Sequence, residues 1–157
     1  MDIAIKKATL EDFERLFPLK IESKNDEQRF AQSTIPIEDA EDYYREYLQR
    51  DLESPYRAVF VAELTDGEMV GMVVGRIYRT LKAVGYERRA SVSNLYVAEC
   101  YRKRGCGKRL VDALTDWFVE REVSGVTLSI YRENTLAHDM HLKNGFQDQF
   151  ISMYKKL

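Results

Sequence analysis

The residues with the clearest capacity for chemistry form one run, Arg102-Lys103-Arg104-Gly105-Cys106-Gly107-Lys108. Val92 to Val97 precedes it, extended in character and rich in β-branched and aromatic residues. Arg109 to Val119 follows, with apolar residues at helical spacing. A strand therefore turns into a helix here. The first turn of a helix presents backbone N–H groups without intrahelical acceptors, and the helix dipole favours negative charge there. Gly105 and Gly107 leave the backbone open to close approach. Lys103, Arg104 and Lys108 add positive charge. The run suits a pyrophosphate. An ordinary surface loop can share this composition, so the placement between strand and helix carries the weight. Two better-known phosphate sites are excluded: there is no G-x-x-x-x-G-K-[ST], and Leu110 stands where G-x-G-x-x-G needs its third glycine.

Other reactive side chains are few. His138 and His141 are the two histidines, three residues apart and without an evident third ligand, so no metal is expected. Cys100 and Cys106 lack the companions of a zinc site or a disulfide framework, which fits a reducing, cytoplasmic setting. The net charge is 24 − 26 = −2, which speaks against a nucleic-acid binder, and the basic run is too short to reverse that. Residues 38–53 hold Glu38, Asp39, Glu41, Asp42, Glu46, Asp51 and Glu53 against Arg45 and Arg50. This reads as a solvated helix face, and only if turned toward a site would it favour a cationic ligand. No apolar run approaches the ~20 residues of a membrane helix, and Met1 to Lys7 does not resemble a signal peptide.

The elements that position the run can be read along the chain. At 157 residues a single domain over 1–157 is expected. Ile3 to Ile5 reads as a strand. Thr9 to Asp12 resembles a capping box ahead of a helix through Phe13, Leu16, Phe17, Lys20 and Ile21, which Pro18 should kink or split. A polar loop is expected over Glu22 to Gln32 and on through Ser33 to Pro36. A second helix follows over Glu38 to Leu52, with Tyr43, Tyr44 and Tyr47 read chiefly as packing residues. Strands over Ala58 to Leu64, Met69 to Tyr78 and Arg89 to Val97, joined by an Asp66-Gly67 turn and a connection over Thr80 to Glu87, predict an antiparallel meander. After the basic run come a helix to about Glu122, a strand over Val126 to Tyr131, and a short helix from Asn134 to Leu142 closed by Gly145. Phe146 to Leu157 suggests one or two final strands. Strand, helix, strand implies a parallel crossover.

Two motifs in this order resemble the GNAT superfamily, the Gcn5-related N-acetyltransferases. The family's [Q/R]-x-x-G-x-[G/A] is met by Arg102-x-x-Gly105-x-Gly107. Its later N-x-x-A-x-x-L-Y-x-x-x-G-F is met by Asn134-x-x-Ala137-x-x-Met140-His141-x-x-x-Gly145-Phe146, with Met140 for leucine and His141 for tyrosine. The resemblance implies an α/β (α+β) fold with a mixed, mostly antiparallel, twisted sheet flanked by helices around the strand–cradle–helix–strand unit. It also implies acetyl-CoA as co-substrate, with no metal. Pantetheine would lie between the strand ending near Val97 and the strand from Val126, against the main chain of Leu95, Tyr96 and Val97. The pyrophosphate would sit on amides of Arg102, Lys103, Arg104, Gly105, Cys106, Gly107 and Lys108. Asn134 would bond the pantetheine arm and Ala137 would make room for it; Asn134 also suits a plain helix N-cap.

The implied reaction moves an acetyl group directly to a primary amine of a small molecule or peptide, with no nucleic-acid or membrane partner. His141 takes the place of the family's usual tyrosine acid, as either the proton donor or a spectator. No base stands in the strand before the cradle, where Ser93-Asn94 replaces the family's frequent glutamate; Glu63, Glu87 and Glu99 are the nearby carboxylates. These two departures leave a non-catalytic acyl-CoA-binding module as the alternative. Exposed strand edges would allow a homodimer.

Overall fold

The computed structural model describes residues 2–31, 40–82, 85–153 and 155. Five strands form one sheet: β1 (Ile3–Lys7), β2 (Arg57–Leu64), β3 (Met69–Lys82), β4 (Gly85–Val97) and β5 (Val126–Thr127). They lie in chain order β1-β2-β3-β4-β5. The first four pair antiparallel and β5 joins β4 in parallel. Four helices accompany them among the described residues: α1 (Phe13–Gln28), α2 (Glu41–Glu53), α3 (Cys106–Val119) and α4 (Thr135–Lys143). The expected mixed sheet flanked by helices is present.

β2 is apolar from Ala58 to Ala62 because both of its faces are covered there. Ala58, Ala62 and Leu64 pack in one cluster with Leu110, Leu114, Trp117 and Phe118 of α3. Val59 and Val61 point the other way, into a cluster with Leu16, Phe17 and Leu19 of α1 and Leu48 of α2. The sheet thus separates α3 from the α1–α2 pair. Gly75 allows the first contact: a Cβ there would lie 2.4 Å from Leu114 Cδ1 and 2.7 Å from Phe118 Cζ.

Several elements differ from the sequence reading. α1 runs unbroken through Pro18 and continues to Gln28, so Glu22 to Gln28 is helix rather than loop. Pro18 loses one backbone hydrogen bond, but the turns around it are anchored by buried Leu16, Phe17, Leu19 and Lys20. The polar end is laced by Lys24–Glu27 and Arg29–Asp26 pairs at i,i+3 spacing. Residues 32–36 of the expected loop, and Glu38 and Asp39 of the expected second helix, lie outside the described residues. The capping box forms, with the Thr9 N–H donating to Asp12 Oδ2 at 3.0 Å. β3 and β4 pair as far as Lys82 with Gly85, so most of the expected Thr80–Glu87 connection is hairpin.

Only Val126 and Thr127 of the strand expected through Tyr131 are laddered. No strand forms over 146–153, where Phe150, Ile151 and Met153 are exposed. Tyr154, Lys156 and Leu157 lie outside the described residues. With no strand on its far side among the described residues, the segment after Thr127 loses its ladder once β4 bends away.

Candidate active site

The bend in β4 comes from a bulge. Met72 pairs with Tyr96 and Val74 with Ser93, so Asn94 and Leu95 together oppose Val73. Two residues facing one leave backbone groups outside the ladder and turn the strand. Asn94 takes φ 50°, the left-handed region that asparagine tolerates better than most residues. Past Ser91–Thr127 the two parallel strands separate, and a cleft of about 150 Å³ opens between them. Leu95 and Tyr96 line one wall, Leu128 and Tyr131 the other, with Asn134, Ala137 and His141 of the α4 segment along it. Val97 ends the β4 wall, paired with Gly71.

The basic run lies beyond that end of the strand. A 3₁₀ turn over Glu99–Tyr101 leads into it, Lys103 adopts φ 60°, and Gly105 caps α3 with φ 78°. A Cβ at Gly105 would meet nothing within 4 Å, and one at Gly107 only Val97 Cγ2 at 3.8 Å. The first glycine is therefore needed for its backbone angle and the second leaves open space over the amides. No acidic residue stands in the first turn of α3. These features fit a pyrophosphate against the amides of Cys106, Gly107 and Lys108. Lys108 pairs with Asp112 at 2.5 Å, and the Arg104 guanidinium lies over the Tyr101 ring.

Arg102 is placed differently from the other motif residues. Its amide bonds Glu99 O at 3.2 Å, its Nε donates to Val97 O at 2.8 Å, and its Nη2 reaches Asp26 Oδ1 at 3.1 Å. It clasps the end of β4 to α1 rather than lining the cradle. Cys106 is buried, and burial pushes its thiol up, which suits packing rather than nucleophilic attack.

Asn134 caps α4, its Oδ1 accepting from the Ala137 N–H at 3.2 Å. His141 is 6 % exposed, edge-on to Phe146, and its Nδ1 is buried without a hydrogen-bond partner among the described residues. Burial, then the nearby His138, hold its pKa below the ordinary histidine value. At neutral pH the ring is uncharged, so it is a weaker acid than the imidazolium that a proton donor would need. His138 is turned away, bonded to Asp148 at 2.8 Å. Among the described residues no three His, Cys, Asp or Glu side chains cluster to hold a metal.

A second cavity of about 590 Å³ adjoins the cleft, and Val92, Ser93, Asn94, Leu128 and Ser129 line both. Tyr43, Tyr44, Tyr47 and Tyr78 form an aromatic wall; of the α2 tyrosines expected to pack, Tyr44 also meets the core, while Tyr43 and Tyr47 border the cavity. Tyr43 is exposed, its ring tilted against that of Tyr47 with centroids 4.8 Å apart. Lys20, Lys24, Glu27 and Arg76 supply the charge.

The acidic residues of α2 do not line this cavity. Glu41 and Glu46 are exposed and pair with Arg45 and Arg50, while Asp51 is buried between Arg57 and Arg76. Glu41, Asp42, Glu46 and Glu53 make the expected solvated face, Asp51 departs from it, and Glu38 and Asp39 lie outside the described residues. Of the three carboxylates weighed as bases, Glu63 is held by Lys6 and Arg15 at 2.7 Å, Glu87 bonds Ser124 at the far end of β4, and Glu99 sits beyond the strand in the turn. Glu27 was not legible as a site residue because it falls in the stretch read as loop. Lys20 did carry a signal, a lysine inside the apolar stripe of α1.

The mixed sheet thus splits past a bulged strand, and the helix that follows opens on a glycine cap with no acid in its first turn. The chain belongs to the acetyltransferase (GNAT) family, which it matches over residues 12–146. It is 25 % identical over 144 residues to YhfO, an uncharacterized N-acetyltransferase of Bacillus subtilis, covering 92 % of this chain and 89 % of that one. Its fold superimposes with a TM-score of 0.80 and 18 % identity on a predicted acetyltransferase of Clostridium acetobutylicum crystallised with acetyl-CoA, over 99 % of this chain and 96 % of that one. A putative acetyl transferase of Pyrococcus furiosus gives 0.78 and 24 % over 99 % and 100 %. AAC(6')-Iy, bound to a CoA-S-monomethyl-acetylneamine bisubstrate analogue, gives 0.74 and 19 % over 100 % and 99 %. No helix among the described residues is long and apolar enough to cross a membrane.

Proposed function

We propose that this protein transfers the acetyl group of acetyl-CoA to a primary amine of a small molecule or peptide. The observation that carries this reading is the meeting of two cavities at the β4 bulge: a narrow cleft along the strand that leads toward the cradle, and a wider chamber beside it. A thioester lying in the cleft supplies an activated acetyl carbon. The chain's residues then have three tasks.

The cradle amides of α3 hold the pyrophosphate. Backbone groups freed at Asn94 and Leu95 polarise the thioester carbonyl. Glu27, which borders both cavities, takes the proton that the attacking ammonium must lose, directly or through a water. As the C–N bond forms and the C–S bond breaks, the departing thiolate takes a proton from solvent. Buried, neutral His141 serves as a wall of the cleft, its ring backed edge-on by Phe146.

The test is release of CoA thiol with a panel of amines, for wild type and Glu27→Gln. Turnover by wild type with at least one amine is expected. In the variant, kcat should fall by about 10²-fold or more with acetyl-CoA affinity unchanged. Tight acetyl-CoA binding with no transfer to any amine would instead leave the non-catalytic binding module.

A further inference from the structure

The larger cavity has a charge pattern that says something about the acceptor, and the inference rests on the acetyltransferase reading of this site. Its charged lining among the described residues is Lys20, Lys24, Arg76 and Glu27, three cations against one carboxylate. Glu27 is paired with Lys24 at 2.5 Å. Arg76 reaches Asp51 at 3.3 Å, but Asp51 also serves Arg57 at 3.0 Å, so one carboxylate is shared by two guanidinium groups. Lys20 is 1 % exposed, and the partner found for its ammonium is the neutral amide oxygen Asn94 Oδ1, at 2.6 Å. A lysine held this deep without a carboxylate of its own is costly. Burial, with the nearby Lys24 charge, pushes Lys20 down to about 8, so it still carries its proton in most molecules at neutral pH.

We infer that Lys20 and Arg76 recognise an anionic group on the acceptor, so that the substrate is an amine that also carries a carboxylate, as an amino acid or a peptide N-terminus with a nearby acidic group does. Two arguments meet here. The cationic lining disfavours a polycationic acceptor, and like charges brought together without screening repel strongly. Asp51 and Glu27 act on Lys20 only through space, without bonding its ammonium, and a carboxylate beside it would supply a direct counter-charge. Glu27, the one acid among the described lining residues, can exchange its Lys24 partner for the ammonium of the same zwitterion. The aromatic wall of Tyr43, Tyr44 and Tyr47 suits an apolar or aromatic body between the two charges.

The test uses acceptors matched in shape but not in charge: phenylalanine, phenylalaninamide and phenethylamine, then leucine and 3-methylbutylamine, with spermidine as the polycation. kcat/KM is measured for each, and binding is measured by calorimetry on the CoA-saturated protein. The carboxylates should be preferred by about tenfold or more over their amide and decarboxylated partners, the size of a charge-assisted contact. Lys20→Met should bring that ratio near unity. 3-Phenylpropionate should compete with the amine in the wild type, a readout independent of how the variant folds.

Equal or better use of phenethylamine or spermidine would overturn the inference and leave the transferase standing. So would failure of every carboxylate to bind or react. Carboxylates that bind Lys20-dependently but are never acetylated would uphold anion recognition and remove the transferase.

Discussion

Lys20 Nζ lies 2.6 Å from Asn94 Oδ1, joining the buried face of α1 to the residue at which β4 leaves its ladder. The bond sets a charged group of the first helix beside the backbone groups that would polarise a thioester. It also carries an energetic cost, because the ammonium is held out of water.

That cost has a measurable pH dependence. Lys20 is lowered from 10.5 to about 8, by burial first and then by Lys24. Below the folded value both states carry the proton and the penalty is fully present. Between the two values the unfolded chain binds more protons than the folded one, so stability rises with pH. From pH 7 to 9.5 this group should add on the order of 2 kcal/mol to wild type relative to Lys20→Met. Urea unfolding of both proteins at the two pH values measures the difference; parallel pH dependence would remove the buried charge as its cause. At pH 7 the variant should be no less stable than wild type, while losing the carboxylate preference.

His141 gives a prediction of the opposite kind, a small effect where the motif suggests a large one. Its pKa is lowered by burial and by His138. The unfolded chain therefore takes up a proton below about 6.5 that the folded chain resists, and stability is lost as pH falls through that region. His141→Phe keeps the ring contact with Phe146 and removes the unpaired Nδ1. It should flatten the stability loss between pH 7 and 5.5, and lower kcat less than about tenfold, short of the 10²–10⁴ of a general acid. A larger loss, or a wild-type rate that declines above pH 7 in step with one deprotonation, would restore His141 as the donor.

The cradle separates stability from ligand binding. Gly107 sits in the first turn of α3 with open space around it, its nearest would-be Cβ contact at 3.8 Å. An acid there favours the helix, by its dipole and by replacing glycine, but repels an anion. Gly107→Asp should leave Tm unchanged or raised, while the Kd for acetyl-CoA rises about tenfold or more. Thermal melts and calorimetry read the two signs. A fall in both together would mean the turn had been disrupted, and unchanged affinity would place the pyrophosphate elsewhere.

What could be read from the sequence follows from where the determinants lie. The cradle is local: two glycines, their cations and the flanking periodicities all fall in the one stretch from Val92 to Val119, and α3 forms where its apolar stripe predicts. The capping role of Asn134 is equally local. The acceptor cavity is not. It is assembled from α1, α2, β3 and β4, which approach one another only in the folded chain. Glu27 is on a helix end held by ion pairs rather than by apolar spacing, so the pattern there reads as loop. The tyrosines of α2 have the spacing of a packing face and yet border a cavity, because Leu48 alone meets the core deeply at that point. The strand after Val126 alternates cleanly, but pairing depends on a neighbour, and the bulge at Asn94 takes that neighbour away.

Gly75 shows how tightly the sheet must meet α3 for the cradle to stand where it does. A Cβ at this position would be 2.4 Å from Leu114 Cδ1 and 2.7 Å from Phe118 Cζ, both side chains buried in the α3 cluster. Gly75→Ala should therefore cost about 1–3 kcal/mol through overpacking, unless the helix moves out. Leu114→Ala should cost about 2–5 kcal/mol through the lost contacts and the cavity left behind. Since the two changes act on the same space, they should not add: the double variant should recover about 1 kcal/mol or more of the sum. Denaturant unfolding of the four proteins closes the cycle. Strict additivity would mean that α3 had shifted in Gly75→Ala to make room. That shift would move the first turn of the helix, and the single variant would then show weaker acetyl-CoA binding, whereas repacking confined to the side chains leaves that affinity as it was.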